Sequence, residues 1–191
     1  MKLYGSLYSP FVRRIRLALA SIPYEFIALN IFEGSDRDTL IRLNPTRKVP
    51  MLVDEEQVVF DSGVIARYLQ EKLGWQKLSV AEENQLTLIN AANDSLVELF
   101  LCKRSGFDIQ EDRLFFNLQR ERVTATLAVL EQQVTDGLFA TWNYPAISLY
   151  CLVDWILFRE LTDMTNYPML CQFVTTHQQQ LAVASTDPRV L

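Results

Sequence analysis

NPTRKVPMLVDEEQVVFDSGVIARYL, running from Asn44 to Leu69, holds two strand signals and a helix signal in immediate succession. Met51 to Val53 and Val58 to Phe60 are short apolar, β-branched runs separated by Asp54-Glu55-Glu56-Gln57, the pattern of a hairpin. A helix with Ile65, Leu69 and Leu73 on one face follows at once, with Ser62 as its expected N-cap. Val49-Pro50 stands directly ahead of the first strand. Proline in that position is either an ordinary trans strand start or a cis turn that exposes a backbone amide.

Upstream, the same alternation of periods continues. Lys2 to Leu7 reads as a strand, and Ser9-Pro10 opens a helix carrying Val12, Ile15 and Leu19, Ser being a favoured N-cap and Pro a favoured first residue. Tyr24 to Leu29 returns to strand. Ser35 with Asp38 three residues on resembles a capping box for a short helix that should stop near Asn44-Pro45. The expected order over residues 1–75 is βαβαββα.

Downstream of about Ala81 the strand signal disappears. Leu86, Ile89, Asn93, Leu96 and Phe100 make one helical face, and Phe116, Val123, Leu127, Leu130 and Val134 another. Ile147 to Phe158 is apolar nearly all round, as suits the centre of a bundle, and a last helix around Leu170, Phe173, Val174 and Leu181 should pack outside it. With Trp75 to Val80 as linker, residues 81–191 read as an all-α helical bundle.

Composition narrows the function. The 191 residues carry a net charge of −5, with a pI near 5.0, and no basic run longer than Arg13-Arg14 or Arg47-Lys48, which argues against nucleic acid as a ligand. Cys102, Cys151 and Cys171 are odd in number and far apart, as expected of free thiols in a reducing compartment. The lone His177 leaves nothing from which to build a metal site. The N-terminus is too short and polar for a signal peptide, and the longest uncharged stretch, Gly137 to Val153, is interrupted by Asn143, Pro145 and Ser148, so no membrane partner and a cytoplasmic location are expected.

Three places suit chemistry. Ser9 lies where a strand ends and a helix begins, and a helix N-terminus favours a negative charge such as a thiolate; it is equally what a plain cap looks like. Val49-Pro50, if cis, offers a backbone amide to a ligand. Asp61-Ser62 puts a carboxylate and a hydroxyl at a second helix N-terminus, able to take an ammonium and a carboxylate or simply to cap the helix.

SPFVRRIRLALA (Ser9 to Ala20), NPTRKVPMLV (Asn44 to Val53) and FDSGVIARYL (Phe60 to Leu69) resemble, in order and spacing, the N-terminal domain of cytosolic glutathione transferases. YPAISLYCLVDWILFR and YPMLCQFVTTHQQQLAVASTDP resemble that family's central helix and final segment. The resemblance implies an α/β thioredoxin-like N-terminal domain followed by the helical domain. It also implies glutathione as co-substrate, no metal, a small apolar electrophile and a homodimer.

By the same resemblance, Ser9 donates a hydrogen bond to the glutathione thiolate as in serine-type members, the tripeptide SPF being most similar to the tau class. Val49 pairs through its backbone with the cysteinyl part before a cis Pro50, Lys48 reaches the glycyl carboxylate, and Asp61 and Ser62 bind the γ-glutamyl end. Phe11 walls the electrophile pocket, and Asp94 would reach a partner's glutathione. Tyr8 is the rival donor, since other classes use a tyrosine near the end of the first strand.

Asp61 stands where the family commonly has Glu. Asn143 and Ala146 stand where it has a Ser or Thr cap and an Asp, so the reciprocal carboxylate bond of that cap is missing. The alternative function is a non-catalytic adaptor of the same fold, as in stringent-starvation proteins, binding a protein partner. An isomerase or oxidoreductase ranks behind both, because the chain lacks an SSCS-like motif and has no cysteine near Ser9.

Overall fold

The computed structural model describes residues 1–190, in two compact units. The first comprises Met1–Lys77 and the segment from Gln178 onward. Its elements are β1 (Lys2–Gly5), α1 (Pro10–Ala18), β2 (Glu25–Ala28), α2 (Gly34–Leu43), β3 (Met51–Asp54), β4 (Gln57–Phe60) and α3 (Ser62–Leu73), the βαβαββα order expected from the sequence. The sheet order is β2-β1-β3-β4, with β1 and β2 parallel and the other pairs antiparallel. A parallel pair needs a crossover, and α1 supplies it.

Register fixes which side chains share a face. Tyr4, Met51 and Phe60 form one rung across β1, β3 and β4, and Leu3, Leu52 and Val59 form the next, on the opposite face. Met51 packs with Leu29 and with Leu40 of α2, so the first rung faces α2. On the other face α1 and α3 pack together, burying Ile15, Ile65 and Leu69 completely. Gly5 ends β1 beside α1, where an added Cβ would stand 2.5 Å from Val12 Cγ2, so glycine is what lets the helix lie this close.

Local details depart from the sequence reading for identifiable reasons. The strand expected over Lys2 to Leu7 ends at Gly5, because the chain turns at Ser6, whose carbonyl accepts from the Ser9 amide at 3.2 Å. Asp54 and Gln57 pair across the hairpin, which shrinks its turn to Glu55-Glu56, with Glu55 at φ 55°. The Ser35–Asp38 capping box does not form. The N-cap of α2 is Glu33, without a side-chain bond, and Asp36 accepts from the Asn30 amide at 2.9 Å instead. Asp61, not Ser62, caps α3; both residue types cap well, but Ser62 already lies in the first helical turn.

The second unit, Leu78–His177, holds α4 (Val80–Arg104), α5 (Leu114–Thr135), α6 (Tyr144–Arg159) and α7 (Pro168–Thr176). Every residue of α6 from Pro145 to Ile156 is buried, as its lack of a polar face requires. Ser79 and Glu82 form a reciprocal capping box on α4. The last helix stops at Thr176, so Leu181 is not on it and is 63% exposed. There the His177 ring stacks on Trp142 at 4.8 Å, and Nδ1 lies 2.8 Å from the Phe173 carbonyl.

The segment from Gln178 onward, which the helical expectation over 81–191 included, packs instead with the first unit. Buried Arg13 of α1 donates to Thr186 Oγ1 at 3.2 Å and to the Val183 carbonyl at 3.1 Å. The Arg13-Arg14 pair therefore makes no basic surface, being 4% and 0% exposed. Among the described residues no helix is long and apolar enough to cross a membrane.

Candidate functional site

The rung Tyr4–Met51–Phe60 marks one end of the sheet, where β1 leaves, β3 enters and β4 leaves. Antiparallel pairing thus brings three sequence-distant segments to that end: Ser6 to Ser9 after β1, Lys48 to Pro50 before β3, and Asp61-Ser62 after β4. Both α1 and α3 begin there, so the positive ends of two helix dipoles open at the same place. An anionic ligand is favoured at such a junction.

Ser9 is the N-cap of α1, and its Oγ accepts from the Val12 amide at 3.3 Å. A hydroxyl used this way as acceptor keeps its hydrogen available for donation. Half-buried Phe11 lies in the first turn with the Arg14 guanidinium 4.6 Å above its ring. Tyr8 is 47% exposed.

The Val49-Pro50 peptide bond is cis, and Lys48 is exposed. Asn44, fully buried, shapes this loop: its Oδ1 accepts from the Thr46 amide at 2.9 Å and the Thr46 hydroxyl at 2.8 Å, while its Nδ2 donates to the Lys48 carbonyl at 2.7 Å. The Asn-Pro-Thr pattern, typical of an Asx turn, was the available signal.

Asp61 has φ 73° and ψ 130°, a conformation that costs a non-glycine residue about 1–3 kcal/mol and that concentrates at ligand sites. Its Oδ1 accepts from the Gly63 amide at 2.8 Å and the Val64 amide at 3.2 Å; Oδ2 takes part in neither bond. Ser62 is 3% exposed. Asp94 lies exposed on α4 in the helical unit. Among the described residues no group of three His, Cys, Asp or Glu side chains gathers as metal ligands would.

The fold and this junction define a class of protein, and comparison with known proteins agrees on it. Residues 3–76 match the family of the glutathione S-transferase N-terminal domain. The uncharacterized GST-like protein YibF of Escherichia coli (strain K12) is 30% identical over 98% of both chains. A probable glutathione S-transferase of Glycine max is 39% identical over 86% of this chain and 75% of its own. Among solved structures, a glutathione S-transferase from Methylobacillus flagellatus KT with GSH bound aligns at a TM-score of 0.84, 18% identity and 98% coverage of each chain. The chain belongs to the glutathione S-transferase family, with a thioredoxin-like N-terminal domain and a helical C-terminal domain.

Proposed function

We propose that the chain is a serine-type glutathione transferase, tau-like in its SPF motif, which binds reduced glutathione and activates its thiolate. The observation that carries this reading is the convergence of Ser9, the cis Val49-Pro50 turn and the backbone-strained Asp61 at one end of the sheet, beside two helix N-termini. Glutathione presents a thiol, two carboxylates and an ammonium. The junction offers a hydroxyl donor, the Val49 backbone ahead of a strand, the Lys48 cation, and a carboxylate beside a helix N-terminus.

In this reading domain 1–75 holds the tripeptide. The Val49 backbone pairs with the cysteinyl unit, Lys48 takes the glycyl carboxylate, and Ser62 with the α3 N-terminus takes the γ-glutamyl carboxylate. Asp61 takes the ammonium through the oxygen not used in capping. The Ser9 hydroxyl and the α1 N-terminus stabilise the thiolate over the thiol, which ordinarily titrates about one to two units above neutrality. The thiolate sulfur then attacks a small electrophile held against Phe11. A carbon–sulfur bond forms as the bond to the leaving group breaks, the leaving group departs with its electron pair, and the proton given up earlier by the thiol goes to solvent. The protein works in the cytoplasm as a homodimer.

Conjugation of glutathione to an aryl halide tests the assignment. Ser9→Ala should lower kcat by about ten- to a hundredfold, the worth of one hydrogen bond to a charged group. It should also lower stability by about 1 kcal/mol through the lost cap. Ser9→Thr should restore both. Unchanged turnover in Ser9→Ala would move the role to Tyr8 or to no side chain.

A further inference from the structure

Arg13 is bonded through both its backbone and its side chain. Its amide donates to the Ser9 carbonyl at 3.0 Å, while its guanidinium donates to Thr186 Oγ1 at 3.2 Å and to the Val183 carbonyl at 3.1 Å. One residue thus joins the N-cap of α1 to the last stretch of the chain, both within the first unit. That stretch is built rather than trailing: Val183 and Thr186 are 4% and 2% exposed, and Pro188 is buried. Ahead of it Ala182 takes φ 66°, in the left-handed region that a non-glycine residue enters at a cost. The Thr186 hydroxyl donates to the Ala182 carbonyl at 2.8 Å, so the oxygen that receives Arg13 is itself held in place. Asp187 comes next. Burial pushes its carboxyl up, but the Arg189 amide and side chain, and then the Arg13 charge, bring it below the ordinary carboxylate value.

The helix that receives this stretch is short. With nine residues α1 lies below the length at which a helix holds itself in water, so its placement depends on what it packs against. Pro10 brings no N–H to the first turn. Ser9 is tied to the helix by the Val12 amide on its hydroxyl and the Arg13 amide on its carbonyl. Val12 is set by its close approach to Gly5 of β1, and Arg13 by Val183 and Thr186. A guanidinium that is 4% exposed is tolerated only where its donors are met, and packing alone would be served as well by an apolar side chain. What the arginine adds is direction: its planar fork accepts one arrangement of hydroxyl and carbonyl.

We propose that residues 183–188 form a strap that positions α1 and, through Arg13, the Ser9 hydroxyl, so that the end of the chain controls thiolate activation at its beginning. Arg13 and Thr186 are positioning residues, both buried and both acting through Ser9. The inference rests on the reading of Ser9 as the thiolate donor. Loosening the strap leaves the contacts made by Lys48, Val49, Asp61 and Ser62 in place, so kcat should suffer and KM for glutathione should not.

Thr186→Val in the full chain keeps the side-chain shape and removes the oxygen that receives Arg13. Its control is Thr126→Val in the helical unit, where the lost hydroxyl bonds the Arg122 carbonyl at 2.7 Å. In amide exchange read by mass spectrometry, Thr186→Val should speed the α1 peptides by at least about threefold relative to those of α4. In conjugation of glutathione to an aryl halide its kcat at neutral pH should fall about three- to tenfold, with KM for glutathione within about twofold of the parent. The acid limb of kcat/KM against pH should move up by about half a pH unit, while Thr126→Val keeps the parent profile. Thr186→Ser, which retains the hydroxyl, should behave as the parent, and Arg13→Lys, a point charge without the fork, should show the loss in smaller measure. In a Ser9→Ala background Thr186→Val should lower kcat by less than about twofold, because the hydroxyl it positions is already gone. Parent-like exchange in α1, a loss confined to KM, an unmoved pH profile or an undiminished further loss in the Ser9→Ala background would each overturn the proposal. In a parent that does not conjugate glutathione the reading of the site itself fails, and exchange alone decides on the strap: faster exchange in α1 supports it and parent-like exchange overturns it.

Discussion

Asn143, the N-cap of α6, donates through Nδ2 to Glu82 Oε1 of α4 at 2.9 Å. Its own Oδ1 accepts from the Ala146 amide at 3.1 Å. Glu82 is meanwhile the acidic half of the Ser79 capping box, so one carboxylate ties together the beginnings of two helices. The family's carboxylate three residues after the central-helix cap is absent at Ala146. A carboxylate from a neighbouring helix engages the cap residue instead.

Glu82→Ala should therefore cost about 1–2 kcal/mol, more than an ordinary exposed capping-box acid, measured as a shift of the denaturant midpoint at constant slope. Asn143→Ala should cost about 1 kcal/mol, and the double variant should lose less than the sum, since the two residues share a bond. Strict additivity would show that the contact carries no energy.

Gly5→Ala is expected to destabilise the first unit by about 1–3 kcal/mol, because the new methyl meets the buried, β-branched Val12 at a distance no real contact adopts. A Gly5→Ala/Val12→Ala double variant should recover part of that loss. Equal midpoints for Gly5→Ala and the parent would mean that α1 moves away from β1 at no cost.

The pattern of what was legible follows from range. Periodicity along Met51 to Phe60 and around Ile147 to Phe158 reports burial directly, so the hairpin and the central helix could be read from the residues. Asn143 as a cap could too, because capping is a local event. Leu181 misled because an apolar residue at helical spacing does not reveal that the chain has left α7 to pack by way of Arg13, some 170 positions away in sequence. Asp61 and Ser62 are both good caps, and only the positive φ of Asp61 separates their roles. Ser9-Pro10, Val49-Pro50 and Asp61-Ser62 each read singly as an ordinary cap or strand start. Their convergence depends on the register of β1, β3 and β4, which no single segment encodes.

Asp54, 7% exposed, accepts from Lys72 and from the Tyr68 hydroxyl through one oxygen. The Lys72 bond first and the Tyr68 bond second hold its carboxyl below the ordinary value, against burial that pushes it up. The bond to Asp54 in turn raises Lys72. A lowered carboxyl contributes stability above its unfolded value, about 3.9, and loses it as pH falls through the folded value. A raised lysine contributes below about 10.4 and loses its share as pH rises through the folded value. The stability difference between the parent and Asp54→Asn should be flat between those limits and shrink at both ends, in denaturation series across pH. A difference that does not change with pH would mean that the ion pair is not its source.

Glu131 of α5 caps α7, accepting from the Met169 amide through Oε1 and from the Leu170 amide through Oε2, both at 2.9 Å. The N-cap position itself, Tyr167, makes no side-chain cap bond. Glu131→Ala should cost about 1–2 kcal/mol. Burial first, and Glu131 second, push the Cys171 thiol up, so Glu131→Gln should make that thiol more reactive toward a disulfide reagent near neutral pH. An unaltered rate would assign the shift to burial alone.

The most direct test of the glutathione site is isothermal titration of the purified protein with reduced glutathione, beside an Asp61→Ala/Ser62→Ala variant whose folding is checked by circular dichroism. Saturable binding to the parent and its loss in the folded variant is the expected result. No binding to the parent, or equal binding by both proteins, would contradict a glutathione site built from the ends of β1, β3 and β4.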